Sequence, residues 1–320
     1  MHNRYRCSNL MEAQIIQSHY IPRFYQRGFI ADRTGLIWVY SKDNAPRLVS
    51  VRKTGMALNL YAFRTKNNQL DSTTVEQELA KLDSEGAIVI RRLQNGYPLT
   101  DDERWTLSRF VSVMWRRTTA HKEHAEKMTS GMMRKFFEDH DENWLYELLT
   151  HRLGSGKAVE GVFDKQKSEL ARMKEDYQRE VPSFIFPNNT LRDSIFEKVL
   201  FAMDWAYFRA TTDTEFVTCD DPVVFNKGTG LKNEDAVIIF PLSRFLLLQG
   251  MWKSSYRGAF VQLADLEVRT LNRYIVSNAS KEVYSSKKSN VFAEFVAKRL
   301  GAFANKTLRM SKTDSCYVNQ

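Results

Sequence analysis

The sequence predicts an α+β fold, with a central helical block flanked by two β-containing ends that form one mixed or antiparallel sheet region. Short β-prone runs with turn signals occupy residues 1–71 and return over 204–320. Between them, over 72–203, apolar residues recur at helical spacing. Each end is too small to build a stable sheet alone, so the ends are expected to meet in space, within one domain spanning 1–320.

The elements follow in order. Leu36-Ile37-Trp38-Val39-Tyr40 is a β-prone run after the turn signal Arg33-Thr34-Gly35, and Arg47-Leu48-Val49-Ser50-Val51 returns after a loop that ends at Pro46. Ser72-Thr73-Thr74-Val75-Glu76 reads as a capping box opening a helix that runs to Asn95-Gly96. Thr100-Asp101-Asp102-Glu103 caps the next helix, in which Leu107, Val111 and Met114 repeat at helical spacing. Helical patterning continues to about Glu180, with Gly154-Ser155-Gly156 as a joint, and Pro182 and Pro187 bracket a further boundary. Leu191 to Met203 then looks helical. Strands are expected at 205–210, 216–218, 236–240 and 245–248, followed by helices over 263–277 and 290–300, the last stopped by Gly301.

Composition narrows the class. With 43% hydrophobic and 12% aromatic residues in 320, the chain can fill a substantial core, which excludes wholesale disorder. The apolar runs are too short to cross a bilayer, and the polar segment Met1 to Gln17 does not resemble a signal peptide. Cys7, Cys219 and Cys316 lack metal-like spacing and read as reduced thiols, so a cytoplasmic protein is expected. A net charge of +9 favours polyanionic partners, nucleic acid being the commonest.

The densest chemistry lies in Ser18-His19-Tyr20-Ile21-Pro22-Arg23-Phe24-Tyr25-Gln26-Arg27-Gly28-Phe29. His19 can move a proton near neutral pH, and Arg23 and Arg27, on one face of a helix begun at Pro22, can hold a phosphodiester. Alternatively His19 caps that helix and the arginines clasp acidic residues elsewhere. Asp220-Asp221-Pro222 follows a strand, where Asp220 can orient a base or bind Mg²⁺; the same tripeptide is also a turn former. Glu76 is a candidate third acid and metal ligand, or simply a helix-opening charge. Arg109, Arg116 and Arg117 alternate with Trp105, Phe110 and Trp115, a pattern that grips single strands, although aromatics at this spacing also face cores. His121 and His124 read as a solvated helix face. Neither Gly-rich triplet, Gly154-Ser155-Gly156 or Gly228-Thr229-Gly230, has the lysine of a phosphate-binding loop, and no Gly-x-Ser-x-Gly elbow is present.

Several of these segments carry a resemblance. His19-Tyr20-Ile21-Pro22-Arg23-Phe24-Tyr25 with Arg27 and Phe29, then Leu36 to Tyr40, resemble the opening of the family named domain of unknown function 4238. So do Val75 to Leu79, Phe110 to Arg117, Phe216 to Val223, Ile238 to Ser243, Asn272, and Asn278-Ala279 with Val283-Tyr284-Ser285. The resemblance spans roughly His19 to Ser286 and implies an architecture and a motif map without a reaction. Cys219 stands where the family usually has serine, which implies a structural position rather than a nucleophile. The leading expectation is a phosphodiester-acting, nuclease-like enzyme of the bacterial defence or toxin kind, using His19, Arg23, Arg27 and Asp220. The alternative is a non-catalytic nucleic-acid or protein binding or sensing module, in which the motifs form a structural clasp between the two ends.

Overall fold

The computed structural model describes residues 16–32, 34–64, 70–153, 159–160, 162–172, 174, 194–210, 213–225 and 230–302. The expectations at Cys7, Gly154-Ser155-Gly156, Pro182, Pro187, Gly228-Thr229 and Cys316 lie outside the described residues.

The N-terminal end contributes β1 (Gln17–His19), α1 (Arg23–Arg27), β2 (Leu36–Tyr40), β3 (Arg47–Ser50), β4 (Met56–Leu58), β5 (Phe63–Arg64) and β6 (Leu70–Asp71). The helical block comprises α2 (Thr74–Gln94), α3 (Asp101–Arg116), α4 (Thr119–Asp139), α5 (Glu142–Leu153) and α6 (Ile195–Ala202). The expected cap of α3 takes the form of a capping box between Thr100 and Glu103. The cap of α2 differs: Asp71, not Ser72 or Thr73, accepts from the main-chain N–H groups of Thr73 (3.0 Å) and Thr74 (2.9 Å). Its ionised carboxylate is well suited to a positive helix N-terminus.

The C-terminal end supplies β7 (Asp204–Arg209), β8 (Thr218–Cys219), β9 (Val224–Phe225), β10 (Val237–Ser243), β11 (Leu246–Met251) and β12 (Phe260–Gln262). It closes with α7 (Asp265–Asn278), β13 (Val283–Ser285) and α8 (Asn290–Arg299). Gly301, at φ +74°, follows the last helix in the left-handed region that favours glycine.

The two ends do meet. An antiparallel four-stranded sheet runs β3-β2-β13-β8, pairing Tyr40 with Val283 and Trp38 with Ser285. A second, mixed sheet, β12-β7-β11-β10-β9, is built by the C-terminal end alone. That end is therefore larger in strand than the sequence suggested, because β10 and β11 extend to seven and six residues through almost wholly buried runs.

Two apolar clusters fill these layers, and one of them joins α1, α2 and α3 to the five-stranded sheet. The Tyr25 ring stacks on Phe240 at 5.3 Å, and Phe110 packs edge-on to Phe240 at 6.2 Å. Helices α2 and α3 approach closely at Gly86, where an added Cβ would lie 2.6 Å from the Phe110 ring. Arg104 of α3 donates to the Phe201 carbonyl (2.9 Å) and that of Met203, with its guanidinium 4.1 Å from the Trp205 ring centroid. The buried Tyr25 hydroxyl donates to the Pro241 carbonyl (2.7 Å) and meets the Thr218 hydroxyl at 2.8 Å. It thereby touches both sheets from α1. Tyr25→Phe keeps the ring and strands the Thr218 hydroxyl. We expect a loss of about 1–2 kcal/mol in urea unfolding at constant m-value, whereas an unchanged midpoint would deny this contact its tie between the sheets.

Candidate functional site

Asp220 is 1% exposed, at the end of β8. Its two carboxylate oxygens accept from the main-chain N–H groups of Ser280 (2.8 Å) and Lys281 (2.7 Å), while its own N–H donates to the Glu282 carbonyl (3.1 Å). These bonds fix the turn that leads from α7 into β13. Nearby, Asn278 donates to the Asp221 carbonyl (2.7 Å). Asn272 accepts from the N–H of Val217 (3.0 Å) and donates to the Glu215 carbonyl (2.8 Å). The buried Cys219 thiol donates to the Asp221 carbonyl at 3.1 Å, and burial pushes its pKa up, so it is a poor thiolate source.

The N-terminal cluster has a separate arrangement. His19, in β1, sets Nε2 3.2 Å from the Arg52 carbonyl, and burial lowers its pKa, with the Arg23 and Arg117 charges adding to the effect. The structure thus brings His19 and Arg23 together, whereas Asp220 is committed to the 280–281 turn instead of orienting His19. Arg117 is 2% exposed, where it pairs with Asp83 (2.6 Å) and donates to the His19 carbonyl (2.8 Å). Tyr61 donates to the Arg117 carbonyl at 2.8 Å. Glu76 lies beside this ion pair, with its carboxyl pKa raised by burial and opposed by a hydrogen bond from Ser18. Among the described residues, no group of three or more His, Cys, Asp or Glu side chains is placed to hold a metal ion.

Burial also revises the expected nucleic-acid stripe on α3. Arg109 is exposed, but Arg116 and Arg117 are only 6% and 2% exposed, so these two are withdrawn from surface phosphate contact. Phe110 and Trp115 face the core, Trp115 stacking on Phe196 at 5.1 Å, whereas Trp105 is exposed. His121 packs edge-on against Trp115 at 4.9 Å, and its pKa is lowered to about 4, chiefly by burial. It is not on a solvated face.

A cleft of about 990 Å³ opens between the two ends of the chain, lined by Arg27, Arg52, Arg209 and Arg244. Arg27 ends α1, Arg52 follows β3, Arg209 ends β7, and Arg244 occupies the β10–β11 turn. Arg244 is partly neutralised by Glu215 at 3.6 Å. Among the described residues, Arg27, Arg52 and Arg209 have no ion-pair partner. The acid in the lining, Asp32, folds back on the N–H (2.9 Å) and hydroxyl (2.5 Å) of Thr34, bonds that lower its pKa and keep it ionised. Phe245 contributes a partly exposed ring, with the Arg244 guanidinium 4.5 Å from its centroid. Of the sequence candidates, only Arg27 lines this cleft. Arg52, Arg209 and Arg244 escaped notice because no local spacing connects them; the one available signal was that each sits at the end of a legible strand.

Burial lifts the Asp220 pKa from 3.8 to about 6, against the pull of its main-chain N–H donors. The folded protein therefore retains a proton, between about pH 4 and 6, that the unfolded chain has released. The stability this protonation adds is present below about pH 4 and is lost as the pH rises through 6. Urea unfolding across that window should show a decline of roughly 1–3 kcal/mol in the wild type that Asp220→Asn removes. Identical slopes for the two proteins would contradict the assignment.

A family model described as Protein of unknown function (DUF4238) matches residues 17–289. No curated protein and no solved structure matches the chain. Also, no helix among the described residues is long and apolar enough to cross a membrane. The family match takes in β1 through β13, including Tyr25, Asp220, Asn272 and Asn278 at the junction of the two ends, and the chain belongs to the DUF4238 family of proteins of unknown function.

Proposed function

We propose that this chain is a nucleic-acid-binding module that holds a phosphate backbone in the arginine-lined cleft. The observation that supports the reading is the convergence of Arg27, Arg52 and Arg209, without ion-pair partners among the described residues, on one cleft. Four guanidiniums face one acid there, and that acid is bound to its own loop. Unpaired like charges repel, so the arrangement stabilises the fold only when an anion enters. Guanidinium also suits phosphate through its forked donors. The net charge of +9 adds long-range attraction for a polyanion.

The test is fluorescence anisotropy of labelled single-stranded RNA and DNA over a salt series. Each neutralised phosphate adds about 0.7 to the slope of log affinity against log salt. Arg27→Ala with Arg52→Ala should lower that slope by roughly 1.4 and weaken binding at least tenfold at low salt, without lowering the unfolding midpoint. Wild-type slope and affinity in the double variant would reject the cleft as the binding surface.

A second reading, phosphodiester cleavage, draws on one further observation. His19 is a half-buried imidazole whose pKa is lowered by burial, beside Arg23 and against the main chain of the cleft residue Arg52. A neutral imidazole can accept a proton from an attacking hydroxyl or water. Under this reading the purified protein cleaves RNA or single-stranded DNA, and His19→Ala, folded, loses cleavage while keeping binding. Parallel reactions with Mg²⁺ and with chelator define any metal requirement. Cleavage retained in His19→Ala, or none in the wild type, would leave binding alone.

A further inference from the structure

The arginine-lined cleft has an annex. A cavity of about 270 Å³ lies between α1 and α2, and it shares Arg27, Gly28 and Gln94 with the cleft. Its character is different. Phe24 and Ala87 give it part-exposed apolar surface backed by the buried Ile90 and Leu242, and Arg91 and Gln94 stand beside them as its polar side chains on α2. Ala87, Ile90, Arg91 and Gln94 are spaced by three, four and seven residues, so a single face of α2 presents them together. The Arg91 and Gln94 side chains are exposed and make no hydrogen bond among the described residues.

We infer that the annex receives one nucleobase whose phosphate is held by Arg27 at the junction, making the cleft a nucleoside-phosphate site. The inference rests on the anion-binding reading and deepens it. Three features of the geometry favour this ligand class. Arg27 belongs to both compartments, so an anion bound there sits at the mouth of the annex. The annex, at about 270 Å³, has room for a single flat ring system. Apolar surface beside one amide and one guanidinium matches a nucleobase, which has apolar faces and a hydrogen-bonding edge. A simple inorganic anion has no use for the apolar surface, and an aliphatic ligand has none for the polar pair.

Free nucleotides and the unstacked base of a single strand share this chemistry. The experiment titrates the full chain with the common ribonucleoside monophosphates, ribose phosphate, inorganic pyrophosphate and a short single-stranded oligonucleotide, by calorimetry. Comparing a nucleoside monophosphate with ribose phosphate isolates the base. At least one monophosphate should bind tenfold or more tightly than ribose phosphate. Ala87→Phe, which fills the annex without altering the arginines, should erase that advantage and leave ribose phosphate binding unchanged. Ala87→Met, longer and more flexible, provides the same comparison should the phenylalanine impair folding, which circular dichroism reports. A matching loss of oligonucleotide affinity in these variants identifies a strand as the source of the base, and a loss confined to monophosphates identifies free nucleotide. Equal wild-type binding of monophosphates and ribose phosphate overturns the annex inference, while the anion-binding reading stands. Failure of every probe, pyrophosphate and oligonucleotide included, overturns both.

Discussion

Pairing of β2 with β13 decides where the remaining elements go. Tyr40 lies opposite Val283, and its hydroxyl donates to the Lys287 carbonyl (2.6 Å) across a separation of 247 residues while accepting from the N–H of Ser289 (2.9 Å). Closing a loop of that size carries a length-dependent entropy cost of roughly 5 kcal/mol, which local hydrogen bonding at three residue pairs does not offset. The closure is held by what packs behind it. The helical block fills the enclosed space, with Phe110 of α3 against Phe240 of β10 and Phe24 of α1. Because the ends close on each other, Arg27 and Arg52 from one come to face Arg209 and Arg244 from the other. The cleft is a consequence of the closure.

The buried polar residues at the junction of the two ends largely serve this closure. Tyr25, Asn272, Asn278 and Asp220 all spend their side chains on main-chain groups of segments distant in sequence. Buried main-chain donors and acceptors must be satisfied, and irregular turns such as 279–282 lack a ladder to do it. Arg117 performs the same task on the helical side, joining the end of α3 to the His19 carbonyl of β1 and to Asp83 of α2. Removing one member of such a buried pair leaves the other charge uncompensated, so its loss costs stability whatever else the residue does. Gly55 belongs to this set for another reason: at φ +58°, a Cβ there would lie 2.6 Å from the Ile21 Cβ.

Much of the architecture was legible because it is written in local patterns. The hairpin of β2 and β3, the capped helix α3 and helix α7 fall within a residue or two of where alternation, helical spacing and caps place them, whereas no local pattern announced β13. The two- and three-residue strands β1, β4, β5 and β6 were not legible, since their pairing depends on partners rather than on propensity. The site divides along the same line. Arg27 stood out within a dense motif, whereas Arg52, Arg209 and Arg244 are joined to it only by tertiary closure. Arg116 and Arg117 misled for a related reason. A basic–aromatic alternation looks the same whether the helix faces solvent or is enclosed, and here the end of α3 that carries Arg116 and Arg117 is enclosed while Arg109 and Trp105 stay exposed.

The central claim is that both chain ends build one surface for a nucleic-acid ligand. Photocrosslinking of an iodouridine-substituted single strand, followed by mass spectrometric mapping, tests it most directly. The account predicts adducts from both ends at once, on peptides containing Phe24 to Arg52 and on peptides containing Arg209 to Phe245, with Phe24 and Phe245 as the aromatic acceptors within them. Adducts confined to the exposed faces of α3 and α4, around Arg109 and Trp105, would contradict it and place the ligand on the helical block.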